Sequence, residues 1–240
     1  MLMSIYHPYT MFPLGDSALT IDFGNSIDDQ TNQKVLQLYH QIKDAHIPYL
    51  TDLVPAYSSL TVYYDVISVY STEHSAFEAI SELIENITEE KPKPVDGTKR
   101  LIDIPVCYEI KYALDIYEIA RQKNLSVEEI IAIHTSKTYR VYMLGFIPGF
   151  SYMGLVDEQI EVPRKTEPRP NVEAGSVGIA GRQTGIYSLN SPGGWQIIGK
   201  TPLRLFNKDL AQPVLFEPGD EVKFYSITED EFEDFKKRNS

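Results

Sequence analysis

Between Tyr139 and Phe224 the chain is written in short apolar runs broken by glycine and proline, among them RVYMLGF, GSVGIAG, GIYSL, WQIIG and LRLF, with EVKFYSI closing the stretch. A helix needs a sustained 3.6-residue period over ten or more positions, and these runs are too short to supply one. Short strands at such spacing protect their edges by closing or by stacking, so the stretch predicts a closed or sandwiched all-β unit. The rest of the chain has to be fitted around that constraint.

Ahead of this stretch, LIDIPVCY (Leu101 to Tyr108) reads as a strand, followed by a helix carrying Leu114, Ile116, Tyr117 and Ile119. A shorter helix, SVEEIIAIHTS, opens with Ser126 and Glu129 at capping-box spacing. The N-terminal part has a different texture. SALTIDFG alternates like a half-buried strand, and Val35, Leu38, Tyr39 and Ile42 recur at helical spacing. SSLTVYYDVIS is β-branched and aromatic, hence strand, and Ser75 with Glu78 then caps a helix bearing Phe77, Ile80, Leu83, Ile84 and Ile87. Between the two textures, EEKPKPVDGTK (Glu89 to Lys99) is charged, holds two prolines and a glycine, and has no apolar period, as an interdomain linker does. The expected layout is a small α+β domain over residues 1–90, a linker over 91–99, and a mainly-β domain over 100–240.

At 240 residues and 42% hydrophobic the chain can bury a real core. Its formal net charge of −12, with no run of lysine or arginine, argues against nucleic acid and against an anionic membrane as partners. No stretch approaches the roughly 18 apolar residues of a spanning helix, and the N-terminus lacks a basic-then-apolar signal, so a cytoplasmic protein is expected. The single cysteine, Cys107, excludes an internal disulfide and a Cys-pair metal site, and its place in a strand makes it a packed residue. Nothing in the chain argues for metal ligation.

GWQIIGKT, residues Gly194 to Thr201, satisfies the phosphate-loop pattern G-x-x-x-x-G-K-[ST] letter by letter. The pattern works only where a glycine-rich loop opens a helix whose N-terminus faces the phosphates. Trp195, Ile197 and Ile198 favour extended backbone instead, and TPLRLFN downstream has no helical period. The segment reads as two strands joined by a Gly-Lys-Thr-Pro turn, not as a nucleotide site.

YRVYMLGFIPGFSYMG, GSVGIAGRQTGIYSLNSPGGWQIIGKTPLRLF, GDSALTIDFG and VPAYSSLTVYYD together resemble the 5-oxoprolinase B-subunit family, also known as KipI-like or allophanate hydrolase subunit 1 proteins, over nearly the whole chain. The resemblance implies a cyclophilin-like β-barrel for the second domain. In that family an arginine often stands where this chain has Lys200, so the phosphate-loop match is accidental. This chain departs from the family after Tyr108, where EIKYALDI, retaining Asp115, replaces a glycine-rich run, and in SYMGLVDE, which has one glycine where two are common.

The family implies ATP-dependent opening of 5-oxoproline to glutamate, with this chain pairing with a 5-oxoprolinase C subunit while a separate A subunit finishes hydrolysis. It implies ATP with Mg in the assembled complex and none bound tightly by this chain alone. Two other readings stay open: an inhibitor of a sensor histidine kinase, and a component of an allophanate or urea amide hydrolase. Activating a lactam calls for cations and hydrogen-bond donors at the substrate carboxylate, the amide and the transferring phosphoryl group. Arg164, Arg169 and Arg204 offer anion recognition, and Gln183, Thr184, Asn190 and Ser191 offer neutral bonds to an amide. Gly193 and Gly194 allow close backbone approach, while Tyr187 and Trp195 wall the pocket. Arg169, Gln183 and His134 are the candidate catalytic residues; His134 is either a general acid or base or an ordinary residue suited to a helix C-terminus. Phe146, Pro148 and Phe150, in GFIPGF, form a rigid turn that is either a pocket rim or a partner contact.

Overall fold

A computed structural model of the chain describes residues 9–70, 74–89 and 100–238. It divides into two compact units between Thr98 and Lys99. The expected linker, 91–99, lies outside the described residues.

The first unit is a four-stranded antiparallel sheet in the order β1 (Thr10–Pro13), β2 (Ala18–Asp22), β4 (Ser59–Tyr64), β3 (Leu50–Pro55). Helix α1 (Asp29–Asp44) starts where the Asp28 carboxylate accepts the Thr31 N–H at 2.8 Å, a cap that satisfies one of the donors a helix start leaves free. The strand expected over SSLTVYYDVIS stops at Tyr64, because Asp65 caps a one-turn helix, α2 (Val66–Val69). Helix α3 (Ala76–Glu89) opens on the expected box: the Glu78 carboxylate accepts the Ser75 N–H at 2.8 Å and Ser75 Oγ accepts the Glu78 N–H at 3.2 Å. Along β4, Leu60, Val62 and Tyr64 join Leu19 and Ile21 of β2 in a core shared with Val35, Leu38 and Ile42 of α1 and Ile80 and Ile84 of α3. The period-2 strand pattern and the period-3.6 helix pattern meet there on one sheet face.

The second unit is a closed barrel of seven strands with helices packed on it. The strands are β5 (Leu101–Cys107), β6 (Thr138–Leu144), β7 (Ser151–Gly154), β9 (Ser176–Ala180), β10 (Gln183–Ile186), β12 (Gln196–Lys200) and β13 (Glu221–Ile227). Around the barrel the order is β10-β7-β6-β13-β5-β12-β9, and β9 pairs with β10 to close it. Only β5 and β13 run parallel, with Leu101 opposite Glu221 and Cys107 opposite Ile227. A separate ribbon pairs β8 (Arg169–Val172) with β11 (Ser191–Gly193). Helices α4 (Ile116–Lys123) and α5 (Val127–Ser136) come between β5 and β6, and α6 (Glu229–Arg238) follows β13. Ser126 and Glu129 form the expected capping box of α5. The helix expected to carry Leu114 begins only at Ile116, and Leu114 and Tyr117 are exposed.

The expected strand over TPLRLFN does not form. Pro202 cannot donate to a ladder, and the segment is held by a bridge between Phe206 and Val214, by the Leu215 N–H, which donates to the Leu205 carbonyl at 2.9 Å, and by the Thr201 N–H, which donates to the Gly175 carbonyl at 2.9 Å. Cys107 is fully buried beside Ile227 and Phe232, and burial pushes its thiol up, away from the reactive thiolate. Among the described residues no helix is long and apolar enough to cross a membrane, and no group of three or more His, Cys, Asp or Glu is placed to hold a metal ion.

Candidate functional site

Strand alternation assigns the two sides of β9 and β10. Val177, Ile179 and Ile186 belong to the barrel core, whereas Ala180 joins Phe150, Val172, Tyr187, Trp195 and Ile197 in a second cluster on the outer face. Gly185 keeps that face open for aromatic rings: a Cβ there would stand 3.0 Å from the Trp195 ring and 3.2 Å from the Phe150 ring. Phe150 is the hub. Its ring meets Tyr152, Tyr187 and Trp195 edge-on at centroid separations of 4.7, 5.1 and 5.4 Å, in the T-shaped geometry that aromatic quadrupoles favour. Tyr187 is 1% exposed and closely packed, since a Cβ on Gly193 would stand 2.7 Å from its Cζ.

A cationic edge borders this aromatic face. The Arg164 guanidinium lies 5.9 Å from the Trp195 ring centre, within cation–π range. The segment from Pro163 to Arg169 is laid along the Gly194–Gln196 stretch that leads into β12: the Lys165 N–H donates to the Gly194 carbonyl at 2.7 Å, and Gln196 Nε2 donates to the Pro163 carbonyl at 3.2 Å. At its far end sits Asp115. This residue precedes α4 without capping it and turns its carboxylate to β12 instead. Its Oδ2 accepts the Ile197 N–H at 2.6 Å, and its Oδ1 accepts Arg169 Nη2 at 2.5 Å and Lys165 Nζ at 3.2 Å. Arg169 Nη1 is buried with no hydrogen-bond partner. Leaving such a donor unmade costs about 1–3 kcal/mol, and more when the group is charged.

The structure thus brings together Arg164, Arg169, Tyr187, Gly193, Gly194, Trp195 and Phe150 from the expected set, with Gln183 on the same side of β10 as Gly185. Ser191, on β11, has a buried hydroxyl without a partner. Arg204 lies apart on the segment after β12, exposed, donating to the Phe206 carbonyl at 3.1 Å. The GFIPGF turn presents Phe146, 62% exposed, at φ +67°, a backbone region bulky residues rarely enter. Its ring stands edge-on to Phe150 at 5.7 Å, so the expected rigid turn carries an outward aromatic knob, with Pro148 exposed beside it.

Two expected site residues are inside the barrel instead. Thr184 alternates with Gln183 and faces the lumen, where its hydroxyl donates to the Gly178 carbonyl at 3.1 Å. His134, on α5, is fully buried, with Nε2 3.0 Å from Thr184 Oγ1 and Nδ1 2.7 Å from Tyr108 Oη. Thr184 has spent its one proton on Gly178, so Nε2 carries the imidazole hydrogen and Nδ1 accepts from Tyr108. Burial lowers the His134 pKa to about 3, which corrects the expectation of a charge change near neutral pH. Asp115, Lys165 and Tyr152 are the neighbours of this face that residue type and spacing do not single out for a role. Asp115 is the residue retained where the chain otherwise departs from its family's glycine-rich run, which is the one available signal.

GWQIIGKT contains strand β12, not a loop opening a helix. Lys200 is ion-paired with Glu173, and Thr201 is buried, its Oγ1 accepting the Leu203 N–H at 3.3 Å. Lys200→Arg should therefore leave ATP use by an assembled complex within about twofold, because Arg preserves a partly exposed ion pair but replaces a phosphate-loop lysine poorly. ATP titration of the variant, with circular dichroism as the folding control, checks this; loss of ATP binding in a folded variant would overturn it.

A closed barrel carrying a buried aromatic cluster on its outer face, edged by arginines and accompanied by an α+β unit, is the class of protein the fold defines. The family described as "Carboxyltransferase domain, subdomain C and D" matches residues 9–216. The chain is 42% identical to the 5-oxoprolinase B subunit of Bacillus subtilis (strain 168), over 97% of this chain and 98% of that protein. To the 5-oxoprolinase B subunit of Escherichia coli O157:H7 it is 36% identical, over 88% and 93%. The crystal structure of TTHA0988 superposes with a TM-score of 0.77 at 34% identity, covering 88% of this chain and 40% of that longer one. The chain belongs to the carboxyltransferase subdomain C and D family and, within it, to the 5-oxoprolinase B-subunit proteins.

Proposed function

We propose that this chain is the B subunit of an ATP-dependent 5-oxoprolinase, acting with a C subunit to activate the lactam while an A subunit finishes hydrolysis to glutamate. The observation that carries this reading is the pairing, on one barrel face, of a buried aromatic cluster with an arginine edge and a neutral amide side chain. A five-membered lactam carrying a carboxylate presents the matching surfaces: an apolar ring, one negative charge and one amide. In this assignment the ring lies against Trp195 and Tyr152, Arg169 and Arg164 face the carboxylate, and Gln183 bonds the amide. Donors fixed before the reaction stabilise charge that builds on the carbonyl oxygen without having to reorganise.

The residues of GWQIIGKT do not fit a triphosphate, since Lys200 is neutralised by Glu173 and no helix N-terminus follows, so no step of ATP chemistry is assigned to them. Phe146 is assigned to contact with the C subunit, because an exposed aromatic on a rigid turn loses little entropy when buried in an interface.

The purified chain, mixed with the C and A subunits, ATP and 5-oxoproline, should be required for glutamate release. It should also co-elute at micromolar concentration with the C subunit, as a stable interface of roughly 1,200 Å² or more would dictate. Equal glutamate release without the chain, or separate elution of the two proteins, would reject the reading and move a kinase-binding role ahead.

A further inference from the structure

Asp115 gathers donors from two stretches of chain distant from its own. Its side chain is only 5% exposed, and the Ile197 N–H, Arg169 Nη2 and Lys165 Nζ all converge on it. The Asp115 N–H also donates to the Ile197 carbonyl at 2.8 Å, so the residue is bonded to β12 in both directions, two positions from Trp195. One carboxylate thus faces two cations in a chain whose net charge is −12. Arg169 Nη1, in the same guanidinium, has no acceptor. A guanidinium held by one edge, with the other edge unsatisfied, is completed by a planar anion.

We propose that Asp115 is a positioning residue that clamps Arg169 by one edge, so that Arg169 Nη1 and Lys165 Nζ together take the single carboxylate of the ligand beside the Trp195 face. The proposal rests on the lactam reading above and assigns to that site the group that orients its substrate. Nη1 has no solvent contact as the structure stands, so a neighbouring side chain yields when the ligand enters. Lys165, with 32% of its side chain exposed against 22% for Arg169, is that side chain: it leaves Asp115 Oδ1 and meets the incoming carboxylate. The aromatic cluster beside the cations selects the ligand class, since it favours a carboxylate borne on an apolar ring, which inorganic phosphate lacks.

The test uses the reconstituted complex and the single tryptophan of the chain. In wild type, 5-oxoproline should change Trp195 emission saturably, while 2-pyrrolidinone, the same lactam without a carboxylate, and inorganic phosphate should not at tenfold higher concentration. Asp115→Asn and Arg169→Lys should each raise the KM for 5-oxoproline about ten- to a hundredfold, with kcat changed less than about threefold and the KM for ATP unchanged. The double variant should be little worse than either single one, because the two residues act as a unit.

Several outcomes would overturn the proposal: 2-pyrrolidinone binding as well as 5-oxoproline, a KM effect that falls on ATP, or folded single variants whose KM stays within twofold of wild type. If wild type fails to turn over 5-oxoproline yet binds it in a manner that Asp115→Asn abolishes, the enzyme reading fails and the carboxylate subsite stands.

Discussion

Lowering the pH from 7 to 5 should destabilise the wild-type protein by a full additional proton's worth relative to His134→Gln, measured as the pH dependence of urea unfolding. The folded-state pKa of His134 is depressed to about 3 by burial, whereas in the unfolded chain it returns to about 6.5. Its contribution to stability is therefore complete above pH 6.5, where both states hold a neutral ring. It is lost as the pH falls towards 3, because only the unfolded state then takes up the proton. The slope approaches about 1.4 kcal/mol per pH unit in that window. The site explains why the folded state refuses the proton: Nδ1 already accepts from Tyr108, Nε2 is already a donor to Thr184, and Phe224 stacks on the ring at 4.6 Å. The carboxylates whose pKa values are lowered contribute equally to both proteins, so the difference between the two slopes isolates His134. Identical slopes would show that the ring is not held neutral.

Gly193→Ala should abolish ligand binding at the barrel face and lower stability by about 1–3 kcal/mol, the usual cost of forcing a methyl into a packed site. The new Cβ would stand 2.7 Å from Tyr187 Cζ and 2.8 Å from its Cε1. Tyr187 has nowhere to go. It is 1% exposed, and its ring abuts Phe150 at 5.1 Å. Displacing it would shift Phe150 and Trp195 together, which share its buried cluster. Gly194→Ala is the matched control: its nearest neighbour is the Lys165 carbonyl at 3.6 Å, an ordinary contact. Thermal unfolding and Trp195 emission distinguish the two variants; equal behaviour would mean that the Tyr187 contact does not constrain the cluster.

The candidate site is partly legible in the sequence. Arg164, Arg169 and Trp195 stand out by residue type, and the glycines beside them mark close packing. The role of Asp115 is not legible, because the sequence places it inside a helix carrying Leu114 and Ile116, with its partners far along the chain. Only the proximity of β12, more than eighty positions later, turns it away from its own helix. Thr184 and Gln183 read alike as ligand contacts, although adjacent residues of one strand point to opposite faces. Choosing between them requires knowing which face is the lumen.

Local chemistry is what the sequence determined by itself. The Ser75/Glu78 and Ser126/Glu129 boxes form because all their partners lie within one helical turn, and β12 extends because Trp195, Ile197 and Ile198 disfavour the loop that the letters of GWQIIGKT suggest. The tertiary structure decided everything that depends on which side of a strand is inside. The alternation of β9 and β10 is the same whichever face closes inwards, and closure is set by pairings as distant as Leu101 with Glu221. Those pairings turned His134 from a candidate acid or base into a neutral strut in the barrel, and joined Asp115, Lys165 and Arg169 into one charged cluster, because burial and charge compensation belong to neighbours in space.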